Sequence, residues 1–148
     1  MSTSPRIPLD LAPGAYEAKR ALERYIASCG LPRALCELVK LRVSMMNGCA
    51  FCVDMHWRAL RESGESEARL YGLAAWRELA AYTDGERAAL TWAEAVTDVA
   101  ASRVPDAAYE EVSRHFSQKE VADLTYVVVS INGWNRLCVA FRTPPRGA

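Results

Sequence analysis

Residues 37–56 read ELVKLRVSMMNGCAFCVDMH. The first ten are helical in pattern: with Leu35 just upstream, Leu38, Val39, Val43 and Met46 recur at helical spacing and form one apolar stripe. Leu41 and Met45 lie well round the cylinder from that stripe, so the helix is expected to be buried on more than one side. Asn47-Gly48 should end it, because glycine takes the left-handed conformation that closes a helix at little cost. A further helix is expected to begin at once, near Cys49, and to end by Gly64.

Working outward, Pro32 suits the first turn of the helix that runs to about Met46, and Ala15 to Cys29 predicts a helix before it, closed by Gly30. Downstream, a short or broken helix is expected over about Ser66 to Ala80. Thr83-Asp84-Gly85-Glu86 fits a capping box, a hydroxyl at the cap and a carboxylate three residues on, opening a helix to about Ala101. Ser117-Gln118-Lys119-Glu120 repeats the device ahead of a long last helix, with Asp106 to Phe116 as a shorter helix between them. Asn132-Gly133 is expected to bend the last helix. The only β-branched cluster, Tyr126 to Ile131, sits inside that helix. The chain therefore reads as all-α with about six to seven helices, and residues 1–13 and 143–148 are expected to be loose ends.

At 148 residues the chain suits one domain. Its 18 basic and 18 acidic side chains cancel, and neither sign is gathered in a block, which argues against nucleic acid or an acidic membrane as partner. No uncharged apolar run approaches the roughly 20 residues that cross a bilayer, and the N-terminus lacks the apolar core of a signal peptide. A cytoplasmic protein is expected. Its five cysteines, Cys29, Cys36, Cys49, Cys52 and Cys138, are odd in number and irregular in spacing, unlike the paired framework of a small secreted domain.

Cys49, Cys52 and His56, one of only two histidines, fall within eight positions. At about 100° per residue Cys52 lies about 60° from Cys49 and His56 about 20° from it, so the three side chains project from one stripe. Cys49 stands in the first turn, where unpaired backbone N–H groups and the helix dipole favour a thiolate. His56 is one turn beyond Cys52, within reach to take its proton directly or through a water. A thiolate attacks a peroxide where a thiol does not, and a second sulfur one turn away can condense with the resulting sulfenic acid before further oxidation.

Other chemistries are open to the same residues. Cys49, Cys52 and His56 could be three zinc ligands, but a structural site needs a fourth, and the chain has no second Cys-x-x-Cys or His pair. A c-type haem would need His directly after the second cysteine, where Val53 stands. The plainest alternative is a pair of buried thiols beside a satisfied histidine. Cys29, Cys36 and Cys138 read as buried structural thiols. The four tryptophans read as core or subunit-contact aromatics, with Trp57 placed to wall the site, and Trp134-Asn135-Arg136 reads as packing or assembly. Asp54 and Arg58, four apart, should simply pair. His115 reads as a surface or dipole-compensating residue.

Glu37 to His56 resembles the core of the alkylhydroperoxidase AhpD-like family, which also includes the carboxymuconolactone decarboxylases. The pattern of Glu, eleven residues, Cys-x-x-Cys, three residues and His is specific. GESEARLYGLAAWRE, TDGERAALTWAEAVT and INGWNRLCVAFR resemble the corresponding segments of single-domain members, so the likeness spans nearly the whole chain.

The resemblance implies the AhpD-like helical fold, a redox-active disulfide between Cys49 and Cys52, and a proton relay through Glu37 and His56. It implies a homo-oligomer, commonly a trimer or a hexamer. Well-studied peroxidase members carry a second histidine between the cysteines; Phe51 stands at the corresponding place. The implied activity is thiol-dependent reduction of a small hydroperoxide, with Cys52 attacking, Cys49 resolving, and no metal or organic cofactor. Cys49 has the better helix-terminal position and Cys52 the nearer base. A dithiol donor, a lipoyl group or a thioredoxin-like protein, would reset the disulfide. The alternatives are a decarboxylase or isomerase using Glu37 and His56 on a small lactone or keto acid, and a redox-sensing oligomeric protein. The decarboxylase branch generally lacks the paired cysteines.

Overall fold

The computed structural model describes residues 3–147, and among them it contains eight α-helices, one 3-10 helix and no strand. They are α1 (Pro13–Ser28), α2 (Arg33–Asn47), α3 (Ala50–Glu62), α4 (Glu67–Gly72), α5 (Asp84–Thr97), α6 (Val99–Ser102), α7 (Asp106–His115) and α8 (Gln118–Phe141), with the 3-10 helix Leu73–Glu78 after α4. The count exceeds six to seven because two expected helices divide. Ala75 leaves helical backbone (φ −125°, ψ 35°), and Asp98 does the same (φ −95°, ψ 43°) between α5 and α6. None of these helices is long and apolar enough to cross a membrane.

α2 is the central element, and its sequence says why. Leu35, Cys36, Val39 and Val43 belong to a larger apolar cluster that takes in α1, α5, α7 and α8. Leu38 and Leu41 belong to a second, with Leu60, Leu70, Leu73, Trp76, Tyr82 and Leu90. One face for each cluster accounts for apolar residues that a single stripe could not hold. Met46, expected on the stripe, instead lies at the surface, 36% exposed.

The corner between α2 and α3 forms as Asn47-Gly48-Cys49 predicts. Gly48 is left-handed (φ 67°), its N–H reaches the carbonyl of Met45, and the N–H of Cys49 reaches that of Ser44, a paired closure of the helix end. Cys49 is thereby delivered as the N-cap of α3. Both capping boxes form, at Thr83 with Glu86 and at Ser117 with Glu120. α8 runs unbroken through Asn132-Gly133, where a bend was expected. Gly133 instead leaves room for Lys19, whose Nζ would stand 2.6 Å from a Cβ built there. Of the expected loose ends, residues 1, 2 and 148 lie outside the described residues. The N–H of Arg6 donates to the carbonyl of Phe141 at 2.9 Å.

Candidate active site

Cys49 and Cys52 are both buried, with their sulfurs 2.6 Å apart. The backbone N–H of Cys52 donates to the Cys49 sulfur at 3.4 Å, the thiol serving as the helix cap that Ser or Asp usually provides. A third sulfur joins them: Cys49, Cys52 and Cys138 lie within 4.8 Å of one another. Cys138 is therefore part of the sulfur cluster and not a remote structural thiol. Its arrival depends on α8 packing against α2 and α3, a tertiary fact that no local spacing announces.

The thiols of Cys138 and Cys52, with help from the Cys52 N–H and the Asn135 amide, hold Cys49 down to about 3 against burial. The negative sulfur correspondingly pushes its partners up: Cys52 is raised by its contacts with Cys138 and Cys49, and Cys138 rises to about 11, chiefly through Cys49. The resting charge therefore sits on Cys49, with the other two sulfurs as thiols. Cys36 also rises to about 11, there through burial first.

His56 is buried and its Nδ1 lies 2.7 Å from Glu37 Oε2, while its Nε2 has no hydrogen-bond partner among the described residues. Glu37 is not the solvated surface carboxylate that its residue type suggests. Burial pushes it up, but the His56 contact, Lys40 and Arg33 outweigh burial and hold it below the ordinary carboxyl value. Lys40, only 6% exposed, sits between two carboxylates, 2.7 Å from Glu23 Oε2 and 4.0 Å from Glu37 Oε1. Glu23 in turn accepts from Ser130 Oγ and from Trp134 Nε1.

Cys52, His56, Cys138, Phe51, Trp134 and Glu23 line one cavity of about 380 Å³, a size that suits a small organic ligand. Cys49 does not line it. A larger hollow of about 540 Å³ lies beside it and shares Leu9 and Tyr16, but it contains no sulfur, carboxylate or imidazole. Trp134 walls the reactive cavity in place of Trp57, which packs into the second apolar cluster.

The three sulfurs could hold a soft cation. His56 stands outside that close group, so the zinc set of Cys49, Cys52 and His56 is not the one that the fold gathers. Asp54 and Arg58 pair at 2.8 Å on the flank of α3.

Of the residues singled out in the sequence, the structure pairs Cys49 with Cys52 and Glu37 with His56; Cys138, Asn135, Lys40, Glu23 and Trp134, which it places beside them, were not singled out for the site. Two signals were available. Lys40 follows Glu37 by three residues, and Asn135 precedes Cys138 by three, each pair on one helical face.

The chain belongs to the carboxymuconolactone decarboxylase family, whose profile matches residues 13–95. The chain is 43% identical to ATU0492 of Agrobacterium tumefaciens, a protein of unknown function for which an AhpD role in antioxidant defence has been suggested. That likeness covers 98% of this chain and 100% of the other, with a TM-score of 0.95. It is 40% identical over 131 residues to the uncharacterized protein YdfG of Bacillus subtilis (strain 168), covering 88% of this chain and 89% of that protein. To the alkyl hydroperoxide reductase AhpD of Azorhizobium caulinodans it is 45% identical over 58 residues, 38% of this chain and 32% of that protein. The debrominase Bmp8 shares the fold, with a TM-score of 0.84 at 18% identity over 94% of this chain and 75% of that one. The family and the AhpD-named relatives support a peroxidase-related function.

Proposed function

We propose that the protein is a thiol-dependent hydroperoxide reductase whose working sulfurs are Cys49 and Cys52. The observation that carries this reading is the 2.6 Å sulfur pair with only Cys52 opening, beside His56, on a cavity. The negative charge rests on Cys49, and the proton of Cys52 crosses to it over the short sulfur contact as a hydroperoxide enters. Cys52 then attacks the terminal peroxide oxygen; the O–O bond breaks, Cys52 becomes a sulfenic acid, and the departing alkoxide takes a proton from His56 Nε2. Glu37 holds the ring at Nδ1, and Nε2, with no hydrogen-bond partner among the described residues, is the nitrogen left to exchange the proton. The Cys49 thiol then displaces water from the sulfenic acid, giving the Cys49–Cys52 disulfide. An external dithiol, a lipoyl group or a thioredoxin-like protein, returns the two electrons. The protein acts as a homo-oligomer, a trimer or hexamer, in the cytoplasm; exposed apolar residues on the outer face of α8, Tyr126 and Val129, support assembly.

Peroxide consumption coupled to a dithiol donor tests the chemistry. Cys52→Ser is expected to abolish turnover, and Cys49→Ser to slow it. If the double serine variant converts small lactones or keto acids as well as the parent protein does, Glu37 and His56 do the chemistry alone and the decarboxylase alternative replaces this reading.

A further inference from the structure

We propose that Cys138 is a third redox thiol of the site, forming a disulfide with Cys52 by exchange with the Cys49–Cys52 bridge. This rests on the reading of Cys49 and Cys52 as a redox pair. Three observations carry it. All three sulfurs are buried and lie within 4.8 Å of one another, so side-chain rotation can bring either partner to Cys52. Cys52 and Cys138 line the cavity and Cys49 does not, so a Cys52–Cys138 bridge is the one that faces an incoming reductant. The two sulfurs of the first bridge are also unequal as leaving groups.

That inequality sets the direction of exchange. A thiol–disulfide exchange favours expulsion of the sulfur that better carries negative charge. Attack by Cys138 on the Cys52 sulfur expels Cys49, which the Cys52 N–H and the Asn135 amide stabilise as a thiolate; attack on the Cys49 sulfur would expel Cys52, which has no such support. In the exchange the Cys49–Cys52 bond breaks and the Cys52–Cys138 bond forms. Cys49 leaves as thiolate, and the proton of Cys138 passes to Nε2 of His56, a residue lining the same cavity whose Nε2 has no hydrogen-bond partner among the described residues. No electrons leave the protein in this step. Two disulfides thus share one oxidation, the first within α3 and its cap, the second tying α3 to α8.

The test uses Cys49→Ser, which keeps a hydroxyl cap on α3, oxidised separately with diamide and with a hydroperoxide, then alkylated and mapped by mass spectrometry. Both oxidants are expected to remove two alkylatable thiols and to link the Cys52 and Cys138 peptides, with faster migration on a non-reducing gel. If Cys138 stays fully alkylatable with both oxidants while peroxide leaves Cys52 as a dimedone-trapped sulfenic acid, the third-thiol proposal is overturned and the peroxidase reading stands. If diamide links Cys52 to Cys138 while peroxide does nothing, the third thiol stands and the peroxidase reading falls. Should Cys49→Ser fail to fold, diamide-oxidised wild type carries the test: a Cys52–Cys138 fraction beside Cys49–Cys52 is expected, and its complete absence overturns the proposal.

Discussion

The cap position decides which sulfur is charged. Cys49 accepts from the Cys52 N–H at the start of α3, where the helix field is positive, and the neighbouring thiols complete its shell. Cys36, also buried but without such donors, moves the opposite way. The contrast is measurable. The reduced protein is expected to keep an ultraviolet thiolate band down to about pH 3, absent in Cys49→Ser and shifted upward in Cys138→Ala, because the Cys138 contact contributes most to the depression. Folding should feel the same group. A folded value of about 3 against an ordinary 9.0 gives stabilisation that is complete above pH 9 and declines as pH falls toward 3. A thiolate band that appears only in alkali would remove Cys49 from this role.

α8 has two occupations, and they lie on different faces. Inward it sends Asn135 and Cys138 to the sulfur cluster; outward it shows Tyr126 and Val129, one turn apart and 56% and 52% exposed. If that outer face is the assembly surface, Val129→Glu buries a charge at an interface and should lower the mass seen by light scattering. A wild-type mass near 16.4 kDa would refute assembly altogether. The two faces also show what the sequence could convey. Helices with local signals were legible: the Asn47-Gly48 closure, the boxes at Thr83 and Ser117, and the Cys49–Cys52 sulfur pair all formed as their spacing required. A break in the helix after Ser66 was anticipated, and Ala75 supplies it; the break at Asp98 was not, because aspartate does not forbid a helix. Nothing local placed Cys138 beside the other two sulfurs, because they lie on another helix and its cap, and Glu37 was singled out from family resemblance rather than from helical phase.

Across the molecule, one chain of charges joins what the chain order separates. Glu23 on α1, Lys40 and Glu37 on α2 and His56 on α3 follow one another, and Ser130 and Trp134 of α8 bond to Glu23. Lys40 is a cation between the two carboxylates and lowers both against burial, so its removal would raise both. Lys40→Met keeps much of the side-chain volume and deletes the charge. Breaking a buried pair from one side costs about 3–5 kcal/mol; because Glu23 retains 29% of its side-chain exposure, a loss of about 3 kcal/mol in urea unfolding at neutral pH is expected. The sign with pH follows from depressed carboxyls. Their stabilisation is present above the ordinary value of 4.5 and is lost as pH falls through the lower folded values, so the wild type weakens in acid. The variant has already lost the Lys40 share of that contribution, and the stability gap between the two proteins should therefore narrow as pH falls below 4.5. A gap that is constant from neutral to acid pH would mean that Lys40 supports the fold by packing alone and that the carboxylates on either side do not depend on its charge.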